Sequence, residues 1–118
     1  MQIKDVEPGM SNVTLTVRVV SVNRPRKVST KYGEATVAKA VVKDETGSIT
    51  LNLWRDQINL VKPGDVIRIE NAYAKEFRGE VELNLGRNGR IVVLKREEQE
   101  SEEEPEEGIS EEEEEPEE

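Results

Sequence analysis

The chain has 118 residues, enough for one ordinary domain, with 17 Lys and Arg against 26 Asp and Glu and a formal net charge of −9. It contains no Cys and no His, which excludes disulfides, thiolate catalysis, zinc sites of the usual kind and histidine acid–base chemistry. All 17 basic residues fall within residues 1–96 beside 11 acidic ones, whereas residues 97–118 hold 15 Glu and no base, so charges of +6 and −15 make up the total.

The acidic balance therefore describes the tail and misdescribes the body. A body of this size buries a little over 60% of its unfolded surface, a modest but sufficient core. At the N-terminus, MQIKDVEPGM lacks the apolar stretch of a signal peptide, and nowhere do 18 apolar residues run together. The expectation is a soluble cytoplasmic protein without membrane contact.

The first strand is predicted in NVTLTVRVVSV, where Val13, Leu15, Val17 and Val19 alternate with Thr14, Thr16 and Arg18. NRPRKVSTKYGE follows as a basic loop. EATVAKAVVKD and SITLNLW then form a hairpin about DETG, where Gly47 can take positive φ. RDQINLVKPGD lacks alternation and is expected to hold a short helical turn closed by Pro63–Gly64. DVIRIENAYAKEF, the turn RGE and VELNLG make a second hairpin, with RIVVLKR as a last apolar segment. Five or six strands without a long helix suit a small barrel or sandwich. The order hairpin, short link, hairpin favours an all-β, five-stranded Greek-key OB barrel over residues 1–96, with a generic small sandwich as the alternative.

The lone Trp54 ends the third of those five strands. Ile49, Leu51 and Leu53 share the core side, so Ser48, Thr50, Asn52 and Trp54 share the other. Either the indole faces outward, or the strand bulges before it and the ring plugs one mouth of the barrel. In the next strand, Ile67 and Ile69 point inward, and an unbroken phase would bury Lys75. A bulge near Asn71 would swap the phase, placing Ala72 and Ala74 inward and Tyr73, Lys75 and Phe77 outward. In the return strand Val81, Leu83 and Leu85 face in, with Glu82 and Asn84 out. Three of the four aromatic residues then share one wet face.

Cations surround them: Arg55 beside Trp54, Lys75 and Arg78 around Phe77, Arg26, Lys27 and Lys31 with Tyr32 in the first loop, and Arg87 after the fifth strand. Rings interleaved with cations meet the needs of a single-stranded nucleic acid, whose bases stack for about 1–3 kcal/mol each while phosphates follow the positive charge. For any single lysine, a solvated surface is the better explanation; it is weaker for the pattern as a whole.

The stretch DETGSITLNLWRDQINLVKPGDVIRIENAYAKEFRGEVELNLG resembles the single-OB-fold single-stranded-DNA-binding proteins of archaea, their eukaryotic sensor-protein relatives and, more distantly, the DNA-binding domains of replication protein A. The features that carry it are D-E-T-G, L-x-L-W, K-x-G-D-V-I-x-I-E-N-A and, after four further residues, an aromatic followed by a basic residue and Gly. The similarity spans roughly residues 3–95. It implies that Trp54, Tyr73 and Phe77 stack on bases and that Arg26 and its neighbours hold the backbone. Two departures stand out: crenarchaeal relatives usually carry Trp where this chain has Tyr73, and a Gly/Arg-rich segment commonly precedes their acidic end.

The resulting expectation is a monomeric, non-catalytic protein without cofactors that coats single-stranded DNA during replication, recombination or repair, nucleoid-associated when bound. RNA is the alternative ligand, since stacking alone does not distinguish the sugars. An adaptor that binds proteins through barrel and tail is the alternative class. The glutamate tail, with Ile109 as its one large apolar residue, is expected to be disordered. It serves solubility, competes with DNA for the basic groove, or recruits basic partner proteins.

Overall fold

The computed structural model describes residues 1–96. Strands β1 (Val13–Val22), β2 (Arg26–Thr30), β3 (Gly33–Asp44), β4 (Gly47–Trp54), β5 (Val66–Phe77) and β6 (Glu80–Lys95) follow in chain order, with 3-10 turns at Ile3–Asp5 and Arg55–Leu60. They form one sheet in the order β1-β5-β6-β4-β3-β2, and β1 also pairs with β3. That extra pairing closes five strands into the expected OB barrel, with β4 and β6 as its parallel pair. The expected disordered tail, residues 97–118, lies outside the described residues.

Alternation is strict in β1, where Val13, Leu15, Val17 and Val19 are buried between exposed neighbours. Leu51, Leu53, Ile67, Ile69 and Leu83 complete a core with no accessible surface, each side chain contributing about 1.5–3 kcal/mol on leaving water. Ile3 and Val61 are also part of this buried cluster.

Two segments differ from their sequence reading. The basic loop after β1 is half strand: Arg26–Thr30 pair with Gly33–Val37 of β3, so the chain extends the barrel by a two-stranded arm. RIVVLKR is no separate element but the second half of β6. The bend through Gly86–Gly89 lets β6 pair with both ends of β5, 80–85 against 72–77 and 90–95 against 66–70.

Turn chemistry also differs at one place. Gly47 is not among the positive-φ residues. The β3–β4 turn is instead built on Asp44, whose Oδ1 accepts from the Thr46 amide (2.7 Å) and hydroxyl (2.6 Å) while Oδ2 accepts from the Ile3 amide at 2.8 Å. A left-handed pair does occur at Arg78 (φ 53°) and Gly79 (φ 86°), the combination that a tight β5–β6 hairpin needs. No helix of the described residues is long and apolar enough to cross a membrane.

Candidate nucleic-acid interface

Asn71 has φ 57°, and both ladders of β5 slip beside it, between Glu70 and Ala72 against β6 and between Val13 and Leu15 against β1. Burial changes phase there: Ile67 and Ile69 precede the slip as inward residues, and Ala72 and Ala74 follow it. The bulge thus turns Tyr73 (42% exposed), Lys75 and Phe77 (44% exposed) out of the barrel. Without it, the same positions would drive a lysine into the core.

Trp54 lies on the same outer surface but is only half-buried, neither free in solvent nor plugging the core. It lines a groove of about 340 Å³ together with Arg26, Val28 and Val37 from the arm, and Lys75 and Phe77 from β5. Its lining therefore combines an indole and a phenyl ring with the cations of Arg26, Lys39 and Lys75.

The floor of this groove is a hydrogen-bonded chain that sequence reading missed. Lys39 Nζ donates to Asn52 Oδ1 (3.1 Å) and pairs with both oxygens of Glu82 (3.0 and 3.1 Å). Asn52 Nδ2 donates to Glu82 Oε1 (2.9 Å) and to Asn84 Oδ1 (3.3 Å), which also receives the indole N–H of Trp54 at 3.3 Å. Asn52 and Glu82 are buried despite their polarity, which is tolerable because each is partnered. The Lys39 ammonium also sits 5.0 Å from the centre of the Phe77 ring, and the Arg78 guanidinium lies 5.1 Å from it. Tyr73 stands opposite Asn84 in the β5–β6 ladder and lies against Gly86, where an added Cβ would come within 3.5 Å of the ring.

The remaining sequence-predicted residues divide by place. Arg26 and Lys75 line the groove. Arg55, in the left-handed region (φ 53°), opens the turn directly after Trp54, and Arg78 opens the hairpin turn after Phe77. Arg87 is exposed in the β6 bend next to Gly86. Lys27 alternates with Arg26 and Val28, so its side chain leaves from the other face of the arm. Lys31 and Tyr32 occupy the arm's turn, with the ammonium 5.2 Å from the ring centre and the tyrosine 82% exposed. The structure brings Arg26, Trp54, Lys75 and Phe77 into one groove, sets Tyr73 beside its floor, and leaves Lys27, Lys31 and Tyr32 outside its lining.

Charge is distributed unevenly over the barrel. Before the bulge, Glu70 is held between Arg90 and Arg68 at 2.6 Å each, and their hydrogen bonds keep its carboxyl below the usual range. Among the described residues, Arg26, Arg55, Lys75 and Arg78 form no ion pair, and the one carboxylate in the groove lining, Glu82, is bonded to Lys39.

Comparison with known proteins places this geometry in context. Residues 6–93 match the family model described as single-stranded DNA binding protein Ssb-like, OB fold. The single-stranded DNA binding protein Ssb of Saccharolobus solfataricus is 39% identical over 90 residues, covering 76% of this chain and 61% of that protein. Replication factor A of Methanothermobacter thermautotrophicus is 36% identical over 94 residues, 77% of this chain but 12% of that protein. The chain thus spans about three fifths of the first relative and a small part of the second. Among solved structures, a replication factor A related protein from Methanobacterium thermoautotrophicum superposes with a TM-score of 0.67 at 30% identity, covering 80% of this chain and 89% of that one. The OB domain of Ta0387 from Thermoplasma acidophilum shares the fold at 22% identity and a TM-score of 0.70, with 80% and 85% covered.

Proposed function

We propose, from the premise that this chain belongs to the Ssb-like OB-fold family of single-stranded DNA binding proteins, that it binds single-stranded DNA without catalysis, stacking bases on Trp54, Tyr73 and Phe77. Arg26, Arg55, Lys75, Arg78 and Arg87 follow the phosphates; Lys27, Lys31 and Tyr32 extend the contact along the arm. In the cell such a protein coats strands exposed by replication, recombination or repair, residing in the cytoplasm and on the nucleoid when bound.

The observation that carries the reading is the groove itself: Trp54 and Phe77 face a channel flanked by Arg26 and Lys75. Large apolar rings left partly in water forgo burial energy of about 25 cal/mol per Å², and an unpaired cation beside each ring suits a ligand that is flat, aromatic and anionic. Stacking reads every base, so sequence preference is small.

Trp54 is the single tryptophan of the chain, so its fluorescence reports occupancy directly. Oligo-dT should quench it more strongly than duplex DNA. The log–log salt slope should fall by about 0.7 for each phosphate contacted. Oligo-U in place of oligo-dT tests RNA as the ligand. Absence of quenching by any single strand at low salt would overturn the reading.

A further inference from the structure

We propose that Asn84 is a hydrogen-bond donor to stacked bases, so that the groove contacts an acceptor on the base edge as well as the base face. The inference rests on the single-strand reading above and concerns how the groove holds the base edge.

It follows from the direction of the floor network. Lys39 carries donors alone, so the atom of Asn52 that it contacts at 3.1 Å is the carbonyl oxygen. The Glu82 carboxylate accepts alone, so the atom of Asn52 facing it at 2.9 Å is the amide nitrogen. That nitrogen and the indole N–H of Trp54, both donors, converge on a single atom of Asn84 at 3.3 Å each. It must be oxygen, and a flipped amide would set donor against donor twice. Charge at the far end of the chain thereby fixes the rotation of Asn84.

The consequence lies on the other arm of the amide. Asn84 Nδ2 has no partner among the described residues. Its residue is part-exposed, lines the groove, and stands between Trp54 and its β5 neighbour Tyr73. Part-exposed as it is, this group can hydrogen-bond to water. A base stacked on Trp54 displaces that water, and a donor covered without an acceptor loses the hydrogen bond it had.

The bases differ in what they offer. Thymine and uracil carry carbonyls on both sides of their ring N–H, so either orientation presents an acceptor. Adenine sets an exocyclic amino group beside ring-nitrogen acceptors, so it meets the same donor in fewer orientations. One neutral hydrogen bond corresponds to about three- to tenfold in affinity.

The test compares oligo-dT with the same oligomer built from difluorotoluene, thymine's apolar isostere, on the full chain. The ratio of the two affinities is measured for the native protein, Asn84→Ala and Asn84→Asp. Asn84→Ala frees Trp54 as well, which weakens both oligomers alike and leaves the ratio to report the donor. Asn84→Asp keeps an oxygen for Trp54 and Asn52 and removes the donor, while the carboxylate it adds repels the phosphates of both oligomers alike and so leaves the ratio to report the donor. The ratio should fall about three- to tenfold in both variants. If Asn84→Asp keeps the native ratio while oligo-dT still binds, the donor role is overturned and the single-strand reading stands. If the native protein binds neither oligomer, the single-strand reading itself fails.

Discussion

The indole N–H of Trp54 meets Asn84 Oδ1 at 3.3 Å across β4 and β6, the one parallel pair of the barrel. An antiparallel hairpin could not supply this contact, because the two residues are 30 positions apart and meet only through the parallel β4–β6 ladder. The bond holds the indole by its edge, which leaves a face for a ligand. Trp54→Ala should therefore cost about 1–3 kcal/mol in oligo-dT binding, measured by anisotropy of a labelled oligomer. Trp54→Phe, which keeps a ring but drops the N–H, should lie between alanine and the native protein. Equal affinities for the native protein and Trp54→Ala would remove stacking at this position.

Lys39 and Glu82 separate stability from charge. Glu82 is buried, so Lys39→Met strands its carboxylate in the floor and should destabilise the barrel by about 1–3 kcal/mol in urea melts. It also removes the ammonium beneath Phe77, so oligo-dT affinity should fall too. Glu82→Gln leaves the Lys39 charge uncompensated beside the groove. That variant should bind oligo-dT at least as tightly as the native protein, with a steeper salt dependence. A weaker complex would mean that Glu82 positions the site rather than merely neutralising Lys39.

The contrast between legible and hidden features has a physical origin. Period-two alternation in 13–19 and 49–53 identifies the core faces because one residue's environment decides its polarity. The bulge at Asn71 is also legible, since Lys75 and the two alanines make sense in only one phase. The arm strand Arg26–Thr30 is not, because a short basic edge strand buries little and leaves no apolar pattern. The floor network is hidden for another reason. Lys39, Asn52, Glu82 and Asn84 each read as ordinary wet-face residues in their own strands, and only the register of β3, β4 and β6 brings them together. Trp54 stands between these cases: parity names its face, while its half-buried state depends on neighbours two strands away.

Gly89 is the residue that permits the β6 bend to pack on the Asn71 bulge. A Cβ there would lie 2.9 Å from Leu85 Cδ2, 3.1 Å from Leu85 Cα and 3.2 Å from the Asn71 carbonyl oxygen. Two of these neighbours are backbone and cannot rotate away. Gly89→Ala should destabilise the protein by about 1–3 kcal/mol and disturb the bulge that orients Tyr73. Gly86→Ala is the control, since its Cβ meets only the Tyr73 ring at 3.5 Å, an ordinary contact. Comparable melting temperatures for the two variants would contradict this account.

Acid stability should depend on Asp44. Burial pushes its carboxyl up, but hydrogen bonds from the Thr46 hydroxyl and from the amides of Ile3, Thr46 and Gly47 outweigh that and hold it below its ordinary value of 3.8. A carboxyl lowered on folding contributes stability that is fully present above its unfolded value and is lost as pH falls through the folded one. The loss therefore belongs below about pH 4, where protonation releases the Ile3 amide and with it the N-terminal turn. Asp44→Asn should melt lower than the native protein at neutral pH, with the gap narrowing in acid. Glu70, also lowered, is flanked by exposed arginines, and its share should diminish with added salt.

The last expectation concerns where the acidic segment is rooted. Arg96 Nη1 pairs with buried Asp65 at 3.0 Å, and its Nη2 donates to the Leu60 carbonyl at 3.3 Å. Leu60 ends the 3-10 turn that begins immediately after Trp54, a turn about 12 Å long at roughly 2 Å per residue. Fifteen glutamates thus follow a point that one 3-10 turn separates from Trp54, on a body that carries +6. At low ionic strength, where screening extends about 30 Å, they compete with phosphate for the same cations; at physiological salt the reach shrinks to about 8 Å. A chain ending at Arg96 should bind oligo-dT more tightly than the full chain at low salt, with the difference closing as salt rises. Replacing Asp65 with Asn, which loosens the Arg96 anchor, should leave that salt-dependent difference in place but lower the melting temperature. Equal affinities of the short and full chains at low salt would rule out competition and leave recruitment of basic partners or solubility as the segment's role.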